Sequence, residues 1–182
     1  MDNLLAQLIG FGGTALTIIA YQQNKRKNIL LCTVISASLF TIHFILLGAY
    51  TGAIMNLLAG LRSLVFMNNT KKWARSKAWV AVFMIVYTVA CIATWDKWYS
   101  VLPLIAMLLT TISNWMQSEK KIRFLTFPNS PCWLVYNILN GSVAGIITEI
   151  FVMSSLIIAI IRFDLRKPKV KNEVEREVNV NS

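Results

Sequence analysis

Long apolar runs separated by short clusters of Lys and Arg recur along the chain, and the length of those runs sets the elements. A helix rises about 1.5 Å per residue, so about 20 apolar residues cross a hydrocarbon core, and somewhat fewer suffice where polar ends snorkel or the bilayer thins. Seven runs qualify, at residues 4–22, 29–47, 52–67, 78–95, 100–116, 124–140 and 145–162. The third is the shortest and carries Arg62, whose side chain is expected to reach back toward the interface. The predicted fold class is all-α, a polytopic membrane protein of seven transmembrane helices.

The pattern also repeats. Leu39 to Val65 returns as Cys132 to Ile158, each copy reading apolar span, Gly-x-x-x-Gly, apolar span. Without a gap, Ile45 meets Ile138, Gly48 meets Gly141, Gly52 meets Gly145, His43 meets Tyr136 and Asn56 meets Glu149. With one residue inserted, the match extends back to pair Thr17 with Thr111, Gln23 with Gln117 and Lys27 with Lys121. The repeating unit is three spans, and the run at 78–94 is a linker that restores direction, giving two parallel bundles in a 3+1+3 plan. The expected divisions are 1–67 for the first bundle, 68–98 for the linker helix and its loops, 99–162 for the second bundle, and 163–182 for a solvated, mostly disordered tail.

Composition agrees with a bilayer setting. The chain is 56% hydrophobic and 14% charged, with mean hydropathy +0.58, which leaves too little polar surface for a soluble domain of 182 residues. Lys and Arg outnumber Asp and Glu by 18 to 8. They punctuate apolar runs instead of forming a basic face with stacking groups, so no nucleic-acid partner is expected. Nearly all lie in the loops after spans one, three, five and seven; Arg62 lies inside span three, and only Lys97 lies on the opposite face. Because basic loops stay cytoplasmic, the expected orientation is amino terminus outside and carboxyl terminus cytoplasmic, in a multi-pass membrane protein. Met1-Asp2-Asn3 leads directly into apolar sequence, so the first span is expected to be retained and not cleaved. Cys32, Cys91 and Cys132 sit inside apolar runs without ligand spacing, and neither a metal nor a cofactor is expected.

Tyr21-Gln22-Gln23 with the Lys25-Arg26-Lys27 run, Leu39-Phe40, His43-Phe44, the Leu47 to Ala53 stretch, Asn56 and Arg62-Ser63 resemble the YgjV-type bacterial inner membrane proteins, over nearly everything except the tail. More distantly, the 3+1+3 plan is similar to SWEET and PQ-loop transporters, in which two parallel triple-helix bundles enclose a solute pathway. That similarity implies a pocket lined by Asn56 from the first bundle, with Trp133 and Tyr136 from the second. Glu149 stands where the second Asn is expected, and the Pro-Gln pairs are absent, which argues against sugar transport and proline-hinged rocking.

The candidate chemistry is sparse. Glu149 is the one acidic residue inside an apolar span, and a carboxyl group at membrane depth marks a site by default; the bland reading is a glutamic acid bonded between helices. His43, the single histidine, is expected at similar depth and could share a cavity with Glu149, where burial and an adjacent imidazolium act on the carboxyl group's protonation in opposite directions. An interhelical hydrogen bond is the equal alternative for His43, and also for Asn56, Asn137 and Asn140. Pro131, inside the sixth run, is expected to kink or hinge it, and Arg62 to gate or to support. The glycines are expected to serve tight turns. With no catalytic constellation in the sequence, an enzyme is the weakest class.

The leading expectation is a transporter or exporter of a small polar solute, with Asn56, Glu149, His43, Tyr136, Trp133 and Asn137 as lining residues. The alternative is a non-transporting membrane scaffold, accessory or sensor protein. The expected partners are the lipid bilayer and a small polar solute, with a homo-oligomer left open.

Overall fold

The structure, a computed structural model, describes residues 2–23, 26–68, 71–74, 76–113, 124–125 and 127–161. Among them the chain forms seven α-helices and no strand: α1 (Asp2–Gln22), α2 (Arg26–Leu46), α3 (Tyr50–Met67), α4 (Ala78–Ala93), α5 (Val101–Ser113), α6 (Asn129–Leu139) and α7 (Val143–Ala159). A single 3₁₀ turn, Trp98–Ser100, leads into α5. Each predicted run contains one of these helices, and the sixth run has helical residues at 124–125 as well, ahead of a turn at 127–128. The far end of the fifth run, the basic loop with Lys120, Lys121 and Arg123, the pairs involving Gln117 and Lys121, and the tail lie outside the described residues.

Three helices, α1, α2 and α3, are long and apolar enough to cross a membrane by length and composition, while α4, α5 with its 3₁₀ turn, and α7 are apolar but shorter. The outward side chains fit a lipid environment. Leu4, Ile85, Ile92 and Ile158 are each more than 60% exposed, which a bilayer accepts and water penalises.

The chain winds in sequence order within each half. α1 packs on α2 and α2 on α3; α5 packs on α6 and α6 on α7. Across the halves α1 meets α7 and α3 meets α5, while α4 lies against α3 and α5. The buried core between them is aromatic and thioether-rich, with Phe40, Phe44, Met55, Met107, Trp133 and Tyr136 in one cluster.

The two glycine turns are built alike. Gly48 and Gly141 have φ of 70° and 66°, the left-handed conformation that ends a helix and that glycine adopts without a Cβ penalty. The amide of the next residue then reaches back to the last turn, Ala49 to the Phe44 carbonyl at 2.8 Å and Ser142 to the Asn137 carbonyl at 2.9 Å. Gly52 and Gly145 do different work from the turn role expected of them. They lie inside the first turn of α3 and α7, where a Cβ on Gly52 would come within 2.7 Å of the Tyr136 ring and one on Gly145 would strike the Asn137 amide. Absence of a side chain there permits close approach.

Two further expectations change. Pro131 does not lie within a long helix, because the chain turns at 127–128 and α6 begins at Asn129, which puts Pro131 in the first helical turn. An amide there has no intrahelical acceptor in any case, so no bond is lost and no kink is required. Arg62 does not snorkel. It is 6% exposed, donates from Nη1 to Thr111 Oγ1 at 2.8 Å, and holds its guanidinium carbon 5.8 Å from the centre of the Tyr87 ring. A hydroxyl and an aromatic face inside the protein replace the interface as its surroundings.

Candidate functional site

A cavity of about 220 Å³ lies between the two halves. From the first half it is lined by Thr17 of α1, Ser36, Phe40 and Phe44 of α2, and Asn56 and Arg62 of α3. From the second half come Thr110 of α5, Asn129, Trp133 and Asn137 of α6, and Thr148 and Glu149 of α7. Helix periodicity explains the set: Asn129, Trp133 and Asn137 are four residues apart, as are Ser36, Phe40 and Phe44, so each helix presents one stripe.

The polar atoms of this cavity are unevenly satisfied. Thr17 and Ser36 bond each other at 2.9 Å, and Ser36 also donates to the Gly13 carbonyl at 2.8 Å. Thr110 donates to Asn129 Oδ1 at 3.1 Å. Asn56 donates to the Gly52 carbonyl one turn back, at 3.0 Å. By contrast, the buried oxygens Asn137 Oδ1 and Glu149 Oε2 have no hydrogen-bond partner. Ser130 is near enough to act on Glu149, but its own hydroxyl is unpartnered too. Arg62 has no acidic partner among the described residues, its recorded contacts being Thr111 and Tyr87. An unmet buried acceptor is costly, and more so where no bulk water can reach it. Such groups in a bundle interior mark pathways for solutes or ions.

Of the residues singled out from sequence, Asn56, Glu149, Trp133, Asn137 and Arg62 come together on this cavity. His43, Tyr136 and Pro131 do not line it, and the pairing of His43 with Glu149 is not formed. His43 is fully buried, with Nδ1 2.7 Å from the Ala6 carbonyl and Nε2 2.7 Å from Ser142 Oγ. A carbonyl can only accept, so Nδ1 carries the hydrogen, and Nε2 accepts from the Ser142 hydroxyl in the neutral ring. Ser142 Oγ in turn caps α7 by accepting from the Gly145 amide at 3.1 Å. Tyr136 performs the corresponding task from α6. Its hydroxyl accepts from the Gly52 amide at 2.8 Å, near the start of α3, where Ala49 supplies no side-chain cap.

These bonds sit at the glycine-turn end of the cavity together with a cluster of aromatic rings. Phe44 stacks on Trp133 at 5.9 Å and meets Tyr136 edge-on at 5.9 Å. The α1–α7 seam beside it carries polar bonds at two levels: Gln7 donates to the Gly141 carbonyl at 2.8 Å and accepts from the Ala144 amide, and Thr14 bonds Thr148 at 2.7 Å. Gln7, Thr14, Ser142 and Thr148 were not singled out from sequence. Ser and Thr within apolar helices ordinarily bond their own backbone, so the sequence carries no signal that separates those that also bridge helices. Thr17 was marked only by its repeat partner Thr111.

Residues 4–167 match the model of a family described as bacterial inner membrane protein, Imp-YgjV. The chain belongs to the YgjV family of bacterial inner membrane proteins. The inner membrane protein YgjV of Escherichia coli strain K12 is 21% identical over 145 residues, covering 80% of this chain and 76% of that protein. No solved structure matches the chain. The YgjV match takes in α1 to α7 and with them every residue of the cavity, so the site belongs to the family region of an integral inner membrane protein.

Proposed function

We propose that this chain transports a small polar solute across the inner membrane as a seven-span protein of two parallel triple-helix bundles joined by α4, in the manner of SWEET and PQ-loop transporters. The observation that carries the reading is the cavity between the halves, to which both contribute and in which Asn137 and Glu149 hold unmet acceptors. The duplicated plan is supported by the matching turns at Gly48 and Gly141 and by the reciprocal contacts of α1 with α7 and α3 with α5. The distribution of Lys and Arg supports an orientation with the glycine turns periplasmic and the carboxyl terminus cytoplasmic.

Read this way, the aromatic layer and the His43 and Tyr136 bonds form the outer closure, and the cavity extends from it toward Thr33, Arg62 and Asn129 on the cytoplasmic side. The chain acts as a carrier and not as an enzyme. Its cavity offers amide, carboxyl and guanidinium groups, while the histidine is engaged between helices.

Uptake or efflux across proteoliposomes containing the purified chain, screened over radiolabelled polar metabolites, tests the proposal. Movement of at least one solute that Glu149→Gln abolishes is expected. Ligand-free melting unchanged across the panel, with no flux, would leave the YgjV fold as a scaffold.

A further inference from the structure

From a guanidinium and a carboxyl group that line one cavity without pairing with each other, we infer that the solute is a small zwitterion, its carboxylate held by Arg62 and its ammonium by Glu149. The inference rests on the transporter reading above and names the substrate class for that site. Arg62 and Glu149 both line the cavity and form no ion pair with each other or with any other described residue. Arg62 commits Nη1 to Thr111, which leaves the rest of a planar donor fork for a carboxylate.

Four classes of solute make different demands on these groups. A neutral polyol could bond Asn56, Asn137 and both ionisable groups, yet its hydroxyls bring no charge to offset the guanidinium at membrane depth, where uncompensated charge costs most. An anion answers Arg62 alone, and meets Glu149 with its own sign. A cation answers Glu149 alone and is repelled by Arg62. A zwitterion satisfies both ends. Its ammonium can pair with the Glu149 carboxyl group, beside Asn137 and Trp133 on the same cavity wall, where Glu149 Oε2 and Asn137 Oδ1 are among the buried polar atoms without a partner. Size points the same way: about 220 Å³ is below the roughly 300 Å³ at which pockets for drug-sized ligands begin, so the solute has few heavy atoms. Along α3, Arg62 lies six residues beyond Asn56, roughly 9 Å at about 1.5 Å per residue, so the separation of the solute's charges is a variable worth scanning.

Thermal unfolding of the full chain in detergent, with glycine, γ-aminobutyrate, ε-aminohexanoate, butyrate, butylammonium and glucose at equal concentration, tests this. At least one of the three zwitterions should raise the melting midpoint well above the shift given by butyrate, butylammonium or glucose. Glu149→Gln keeps the side chain's shape and an oxygen that can still accept from the neighbouring Ser130, so the variant should fold. It should bind that zwitterion about tenfold or more weakly, the scale of one lost charge-assisted bond, and lose the preference for it over butyrate. Equal or larger shifts from glucose or a singly charged compound overturn the inference. So does no shift with any zwitterion, or a preference unchanged in Glu149→Gln. Flux of glucose or butyrate in proteoliposomes would overturn the zwitterion and keep the transporter; stabilisation by a zwitterion that is never carried would keep the site and remove transport.

Discussion

His43 and Tyr136 hold matching places in the two halves and solve one problem with different chemistry. Each comes from the middle helix of its half and reaches the amino-terminal turn of the third helix in the other half. Tyrosine is long enough to accept from the Gly52 amide directly, whereas histidine needs Ser142 between it and the Gly145 amide. Tyr136→Phe and Ser142→Ala should therefore each lower stability by about 1 kcal/mol, the usual worth of an interhelical hydrogen bond, when unfolding is followed in detergent micelles. The Phe44 ring touches both His43 and Tyr136, so the double variant should depart measurably from the sum. At Arg62 the geometry is directional, one nitrogen on Thr111 and the guanidinium beside the Tyr87 ring. Arg62→Lys keeps the charge but cannot reproduce the planar fork, and should insert normally while melting lower by an amount on the order of 1 kcal/mol. Unchanged melting would mean that charge alone suffices. What the sequence hid here is contact, not residue type. His43, Arg62 and Glu149 stand out in apolar runs, but whether His43 meets Glu149 or Ser142 depends on how α1 and α7 pack, and Gly10 lets them approach closely enough for a Cβ there to lie 2.7 Å from His43 Nδ1.

At the scale of elements, the apolar runs were legible and their interruptions less so. α1 to α4 begin and end within a few residues of the runs that announce them, because length and hydropathy alone decide such helices. The sixth run looked continuous from Phe124 to Asn140 because hydropathy averages across Pro128, yet the chain turns at 127–128 and starts α6 afresh. The local signal was present in Pro128-Asn129-Ser130-Pro131, two prolines around residues that favour helix starts. A proline in a first turn costs a helix almost nothing, whereas a proline at a hinge sets its geometry. Pro131→Ala should accordingly change the melting free energy by no more than about 0.5 kcal/mol and leave flux intact. A loss of flux without a loss of stability in that variant would restore the hinge.

For the whole molecule, the cavity's position between the halves implies a side preference that can be measured. Phe44, Trp133, Tyr136 and the two cross-bundle bonds lie at its glycine-turn end, while its lining continues to Thr33 of α2 and to Asn129 at the start of α6. In a chain whose Cys32, Cys91 and Cys132 are replaced, a cysteine at Thr110 or Asn137 should react with a membrane-impermeant thiol reagent in inside-out vesicles and resist it in right-side-out ones. Adding Tyr136→Phe together with Ser142→Ala removes about 2 kcal/mol from the closed arrangement if each bond contributes about 1 kcal/mol, which is roughly a thirtyfold shift in any equilibrium with an outward-open form. Labelling from the periplasmic side should then rise, and labelling from the cytoplasmic side should fall or hold. Equal reactivity from both sides in the parent chain would point to a water-filled channel instead of a carrier. A rise from both sides in the double variant would mean that the two bonds hold the bundles together without choosing which side is open.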